Sequence, residues 1–359
     1  MEKINFTAGP SILPKEVTEA LAQATLNYND SGLSLLEISH RSDTFMEIIE
    51  EAQQLVRDLL KLPSNYEVLF LSGGSTTQFA LAPYNLLPNN GSAGYLDTGT
   101  WSTKAINAAE MYGLVDVCAS SHDKNYNYIP RDYRIDPDWT YVHLTSNNTI
   151  YGTQINELPD TGDVPIVIDM CSDIFSKKIE NIERFGMIYA SAQKNLGPAG
   201  TTLVIINKDL LGKTGRDIPD AFNYQKHIAK KSVLNTPPVY AIYGCLIMLR
   251  WLKKKGLNQI ERRNTEKSKI LYDEIDNNPN FIPHVRNSED RSVMNITFTL
   301  AKPTKEKAFD VFAENHGFIG FKGHRSVGGY RASLYNAMEK GGAEKFVKML
   351  RDFSWRFGG

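Results

Sequence analysis

The stretch GMIYASAQKNLGPAGTTLVIIN, residues 186–207, sets a single lysine, Lys194, between two apolar runs. Met187–Ala190 and Thr201–Ile206 are rich in β-branched and apolar residues without strict alternation, the pattern of strands covered on both faces. Gly197, Pro198, Ala199 and Gly200 form a small-residue turn that lets other backbone come close. A solvated surface residue is the ordinary reading of any lysine. A lysine held at the end of a buried strand has another use, because an apolar setting lowers its pKa and leaves a nucleophilic amine.

The same rhythm runs outward from this stretch. After SHRSD, the positions Phe45, Ile48, Ile49, Ala52, Leu55, Val56 and Leu59 follow helical spacing. A strand-like YEVLFLS then leads into GGSTT and a helical QFALAPYNLL, and AGYLD, WSTKAINAAEMYG and VDVCAS repeat the alternation. TYVHLTS and VPIVIDM add two more short apolar runs. Such interleaving predicts an α/β fold, a large domain with a mainly parallel central sheet flanked by helices, up to about residue 255. WLKKKGLNQIERRNTEKSKILYDEIDNN then reads as a long charged amphipathic helix. It leads into a strand-like VMNITFTL, a helical TKEKAFDVFAENHG, a strand-like YRASLYN and a last helix from about Glu339, a smaller α+β C-terminal domain. The expected division is 16–255 and 256–359, joined by the N-terminal segment 1–15.

Composition excludes several classes. Lys+Arg 40 against Asp+Glu 41 leaves a net charge of −1, without the basic excess of a nucleic-acid binder. Cys118, Cys171 and Cys245 are far apart and odd in number, so neither a CxxC metal site nor a disulfide framework is expected. MEKINFTAGP lacks the apolar stretch of a signal peptide, and YAIYGCLIMLRWL is too short to span a bilayer and contains Arg250. A reduced, cytoplasmic protein without metal or membrane contact is the expectation.

Asp169 ends the apolar run of VPIVIDMCSD, and strand carboxyl ends in open α/β sheets converge on the ligand crevice. Alone it reads as a helix cap. With Lys194 downstream it matches pyridoxal phosphate chemistry, in which a lysine forms the Schiff base and an acid partners the pyridinium nitrogen. SGGSTTQ (72–78), between a strand and a helix, offers glycines, hydroxyls and a helix N-terminus for the phosphate, although such clusters are common loop material. Trp101 is available to stack on the ring, or is a plain core aromatic. The dipeptide His-Arg occurs twice, as His40-Arg41 and His324-Arg325, and Arg331 follows in GHRSVGGYRAS. Guanidinium forks and imidazoles suit a small, multiply anionic substrate.

NFTAGPSILP, ISHRS, LSGGSTTQF, TGTWS, TSNNTIYGTQ, YASAQKNLGPAG, NTPP and GHRSVGGYRASLYNA together resemble the phosphoserine aminotransferase family, class-V members of the fold-type I pyridoxal phosphate transferases. The resemblance runs from about residue 4 to the C-terminus. It implies transamination of 3-phosphohydroxypyruvate with L-glutamate, giving O-phospho-L-serine and 2-oxoglutarate in L-serine biosynthesis, and in many bacteria also 4-phosphohydroxy-L-threonine for vitamin B6. It implies Lys194 as the Schiff-base lysine and proton shuttle, Asp169 as partner of the ring nitrogen, Trp101 as the stacking ring and Thr149 near the phenolic oxygen. Ser75, Thr76 and Gln193 would bind the cofactor phosphate, with Asn235 and Thr236 reaching it from the second subunit of a homodimer with shared active sites. Arg331 would grip the α-carboxylate, and His40, Arg41, His324 and Arg325 the distal anion. Some family members carry arginine where this chain has Thr76. A cysteine desulfurase, the nearest rival, needs a reactive cysteine on a mobile loop, and none of the three cysteines has that setting. A non-catalytic anion binder would have no reason to hold both Lys194 and Asp169.

Overall fold

The computed structural model describes residues 3–358. A short strand β1 (Ile4–Asn5) and helix α1 (Lys15–Leu26) precede α2 (Asp43–Leu60), which Ser42 caps by accepting a hydrogen bond from Phe45 N–H. Then follow β2 (Tyr66–Ser72), α3 (Ser75–Leu86), β3 (Ser92–Asp97), α4 (Thr100–Ala109), β4 (Leu114–Ser120), β5 (Val142–Thr145), β6 (Ile166–Asp169), β7 (Phe185–Ser191) and β8 (Thr201–Asn207). These seven strands, β2 to β8, form one sheet in the order β2-β8-β7-β6-β5-β3-β4. Its pairs are parallel from β7 to β4, whereas β8 is antiparallel to both neighbours. The connection 192–200 is too short for the crossover that a parallel return requires, so β8 must run back beside β7. The lysine stretch is therefore the bend between two central antiparallel strands.

Helices cover both faces. On one, Ile48, Ile49 and Val56 of α2 meet Ile168, Ile188 and Ile205 of the sheet, together with Leu246 and Leu249 of a helix α6 described below. On the other, Phe79 and Ala82 of α3 and Ala105 of α4 lie over Tyr95, Val167, Tyr189 and Val204. The absence of strict alternation in the strand sequences follows directly from this double cover.

After α5 (Tyr224–Ala229) come α6 (Val239–Lys255) and α7 (Leu257–Asn277). The single long helix expected here is broken at Gly256, whose φ of 77° ends α6 and turns the chain before α7 begins. The remainder comprises β9 (Phe281–Pro283), β10 (Asn295–Leu300), α8 (Glu306–Asn315), β11 (Phe318–Ile319), β12 (Tyr330–Ser333) and α9 (Lys340–Phe357). Strands β12, β10 and β9 form an antiparallel sheet, and β1 pairs in parallel with β11. A second core gathers Phe6, Leu271, Ile275, Phe298, Phe309, Phe346 and Phe353. The first turn of α7, with Leu257 and Ile260, belongs to the first core instead.

A lysine lies wholly inside the smaller core. Lys267 of α7 donates to the carbonyls of Leu334, Tyr335 and Met338 at 2.9, 2.9 and 3.0 Å, and burial pushes its pKa down to about 7. By taking those carbonyls it ends β12 at Ser333 and holds the turn that follows. The YRASLYN strand expectation therefore overran by the length of that turn.

A polar row crosses the buried sheet. His143 of β5 is buried, stacks on Tyr95 at 4.8 Å and shares a 2.8 Å hydrogen bond between Nε2 and the Tyr189 hydroxyl. Its Nδ1 has no partner, and burial holds its pKa down at about 3, against an ordinary 6.5. Between those two values the unfolded chain binds a proton that the folded chain does not, so stability falls as pH drops below 6.5. Urea unfolding at pH 7 and pH 5 tests this: a His143→Gln variant is expected to lose about 2 kcal/mol less than the wild type between the two. Identical losses would mean that His143 is not held neutral.

Candidate active site

Because β5, β6 and β7 are parallel neighbours, their carboxyl ends gather Thr145, its register partner Asp169, and Ser191, which lies two residues beyond Asp169's own partner, at one edge of the sheet. All three line a cavity of about 380 Å³, shared with Gly74, Ser75 and Thr76 at the head of α3, Trp101 of α4, and Thr149, Gln193, Lys194, His324 and Arg331. Residues far apart in the chain thus meet where the two cores adjoin.

Asp169 is buried, and its Oδ1 accepts a 2.9 Å hydrogen bond from Cys171 N–H. Burial raises its pKa, opposed by the charge of Lys194 and by the Cys171 hydrogen bond. A buried carboxylate so placed gains from any further cation delivered to it. Lys194 sits on a tight turn in which Leu196 and Gly197 N–H both donate to the Ala192 carbonyl. From the other side, Ser11 N–H donates to the Gln193 carbonyl at 2.9 Å and Ser11 Oγ to the Lys194 carbonyl at 2.5 Å. A Cβ on Gly9 would stand 3.2 Å from Lys194 Cγ, and its φ of 142° already disfavours a side chain. Lys194 Nζ lies 6.0 Å from the Trp101 ring centroid, and Trp101 Nε1 donates to Thr149 Oγ1 at 3.1 Å, which fixes the indole plane.

The turn into α3 is organised by neighbours from the sheet. Ser75 N–H donates to Ser191 Oγ at 2.7 Å, and Ser75 Oγ lies 2.7 Å from both Ser191 Oγ and Cys171 Sγ. Among the described residues, the N–H groups of Gly74 and Thr76 have no acceptor. They and the helix N-terminus form a cradle for an anion. The buried Oγ1 of Thr145 also has no partner. A flat, anionic pyridine cofactor fits this set, since it meets a buried carboxylate, an aromatic plate, an amine and free N–H donors in one cavity.

At the opposite side, Arg331 of β12 donates to the Thr149 carbonyl at 2.9 Å, and its Nε is unpartnered. Burial lowers its pKa, so a carboxylate is the natural complement. His324 Nδ1 lies 2.6 Å from Ser326 Oγ; burial, then the charges of Arg331, Arg325 and Lys104, hold its pKa below the usual histidine value. Of the residues singled out in the sequence, Ser75, Thr76, Trp101, Thr149, Asp169, Gln193, Lys194, His324 and Arg331 line the cavity. His40, Arg41, Arg325, Asn235 and Thr236 do not, and all but His40 are exposed. Ser191 and Thr145 carry no motif signal of their own in the sequence, and Cys171 reads there only as a cysteine without a metal, disulfide or mobile-loop setting. Strand alternation could have found Cys171, two residues beyond Asp169, and the strand-end rule Thr145 and Ser191. The role of the 8–11 segment had no local signal.

Residues 4–346 match the family model for class-V aminotransferases. A relative from Flavobacterium johnsoniae, named phosphoserine aminotransferase, is 51% identical over 353 residues, 98% of each chain. The solved structure of phosphoserine aminotransferase from Bacillus circulans superposes with a TM-score of 0.94 at 40% identity, covering 98% of both chains. The pyridoxal phosphate-bound phosphoserine aminotransferase of Trichomonas vaginalis superposes at 0.92 with 34% identity, over 98% of this chain and all of that one (100%).

The cradle depends on Ser191. Ser191→Ala leaves the Ser75 N–H unpaired in a partly buried place, and an expected loss of about 1–2 kcal/mol in unfolding free energy is readable in urea. An unchanged midpoint would assign the cradle's support to Cys171 alone.

Proposed function

The chain belongs to the class-V aminotransferase family, and we propose that it moves the amino group of L-glutamate onto 3-phosphohydroxypyruvate, yielding 2-oxoglutarate and O-phospho-L-serine for L-serine biosynthesis. The observation that carries this reading is a single cavity with Lys194, Asp169 and Trp101 on one side and His324 and Arg331 on the other.

Pyridoxal phosphate, when bound, supplies an aldehyde that exchanges amino groups and a ring that accepts the electron pair left at the substrate α-carbon. Every other role falls to the chain. Asp169 offers its buried carboxylate to the pyridine nitrogen and keeps a proton there, which also gives the carboxylate the countercharge its burial demands. Trp101, fixed by Thr149, presents a plate for the ring. Gly74, Ser75, Thr76 and Gln193 hold the phosphate. Lys194 Nζ would take the proton from the α-carbon of glutamate and deliver it to the cofactor's aldehyde carbon, and would carry a proton the opposite way onto the α-carbon of the keto acid in the second half-reaction, a task suited to an amine held on a tight turn. Arg331 grips the α-carboxylate through a guanidinium already oriented by the Thr149 carbonyl. One cationic pocket then serves a phosphate in one half-reaction and the glutamate side-chain carboxylate in the other.

The exposed Asn235 and Thr236, together with His40 and Arg41, lie outside this chain's own cavity. That placement supports a homodimer in which they complete the partner's site. The separate second core supports 256–359 with 1–15 as a distinct domain. Three free cysteines fit a reducing cytoplasm. Among the described residues no helix is long and apolar enough to cross a membrane, and no group of His, Cys, Asp or Glu is arranged for a metal ion.

Assays with glutamate and matched keto acids test the reaction. The phosphorylated acceptor is expected to exceed hydroxypyruvate by at least about 10²-fold in kcat/KM, since the cations gathered for the phosphate stay without an anion when the acceptor lacks it. Lys194→Ala should keep its circular dichroism and lose about 10³-fold or more in turnover. Substantial turnover by that variant, or no preference for the phosphate, would overturn the assignment.

A further inference from the structure

Lys104 lies on α4 three residues beyond Trp101, so both side chains leave the same side of the helix. Its Nζ stands 4.9 Å from the Trp101 ring centroid. The side chain is exposed, and among the described residues no carboxylate comes within 4.0 Å of its ammonium. Lysines elsewhere on this surface, such as Lys231, Lys253 and Lys269, do have acidic partners. The uncompensated cation stands at the rim of the cavity that Trp101 lines.

The loop carrying His324 and Arg325 comes to the same place. Val327 of that loop shares an apolar cluster with Trp101, Tyr126, Ile150 and Tyr151. Lys104, Arg325 and Arg331 all act on His324 through their charge, which puts three cations within electrostatic reach of one imidazole. Like charges gathered without an acid among them repel, and the arrangement becomes favourable once a multiply charged anion is present.

We propose that Lys104 is a specificity-determining residue, a flexible cation at the cavity rim that pairs with the phosphate of the incoming keto acid. The inference rests on the proposed reaction, whose acceptor carries a dianionic phosphate and whose alternative lacks one. An ammonium on a four-carbon stem can follow a phosphate as it enters, whereas the half-buried Arg331 is fixed by its bond to the Thr149 carbonyl. The pairing attracts the phosphorylated substrate from solution and adds nothing to the chemistry at its α-carbon.

The test uses the holoenzyme, glutamate, and 3-phosphohydroxypyruvate or hydroxypyruvate as acceptor, at low and high salt. Lys104→Gln is expected to lower kcat/KM for the phosphorylated acceptor about 5- to 10-fold, through KM, and to change the hydroxypyruvate value less than about 2-fold. Its dependence on salt should also be shallower, and Lys104→Arg should restore both properties. Equal losses with both acceptors, or altered Trp fluorescence and cofactor absorbance in Lys104→Gln, would mean that Lys104 acts by holding Trp101, and would overturn the proposal. So would an unaffected KM in an enzyme that does prefer the phosphate. A wild type with no such preference would overturn the substrate reading first, and this inference with it.

Discussion

A carboxylate buried at the end of a strand is the constraint around which this site is arranged. Asp169 has little access to water and accepts a hydrogen bond from the Cys171 N–H at its Oδ1, so its negative charge has to be balanced by something brought to it. Lys194 supplies part of that balance, from the bend between two central strands. In the proposed reaction a protonated ring nitrogen would supply the rest, and the cavity holds groups suited to such a ring: an indole, free N–H groups at the head of α3 and the Lys194 amine. The parallel strands serve this arrangement because only their carboxyl ends bring Thr145, Asp169 and Ser191 to one edge of the sheet.

Much of this was legible from residues near one another in sequence. Strands β6, β7 and β8 announced themselves by apolar runs, and α2 by its helical spacing. Lys194 and Asp169 could be singled out because each ends such a run, and Trp101 and GGSTT because a ring and a phosphate needed hosts. The break between α6 and α7 was overlooked because Gly256 stands among strong helix formers, and a lone glycine is tolerated in helices at a cost of only about 1 kcal/mol. Its positive φ is a property of the folded chain.

What depends on tertiary approach was not legible. Cys171 was weighed only as a nucleophile and rejected, yet it touches Ser75 and receives the Ser191 N–H at 3.1 Å, so it acts as a packing and hydrogen-bonding piece of the cradle. Lys267, in a charged helical run, reads as a solvated side chain, and its three carbonyl partners come from a segment about seventy residues away. Lys104 has the same character, ordinary in a helix sequence and distinctive only once Trp101 and the His324 loop surround it.

The N-terminal segment has one more consequence, for the order in which the molecule is made. Ile4 and Asn5 pair with Phe318 and Ile319, the Ala8 carbonyl accepts from the Tyr335 hydroxyl at 2.6 Å, and Ser11 braces the backbone of Lys194. Residues 4–8 therefore have no resting place until residues 318–335 have been made. Sheet and helices up to about residue 255 can gather earlier, but the segment that braces the Lys194 bend is itself anchored only when residues 4–8 meet residues 318–335. Closure of the strap is thus a late step of folding, and a chain that stops short of residue 318 holds Lys194 without an anchored brace.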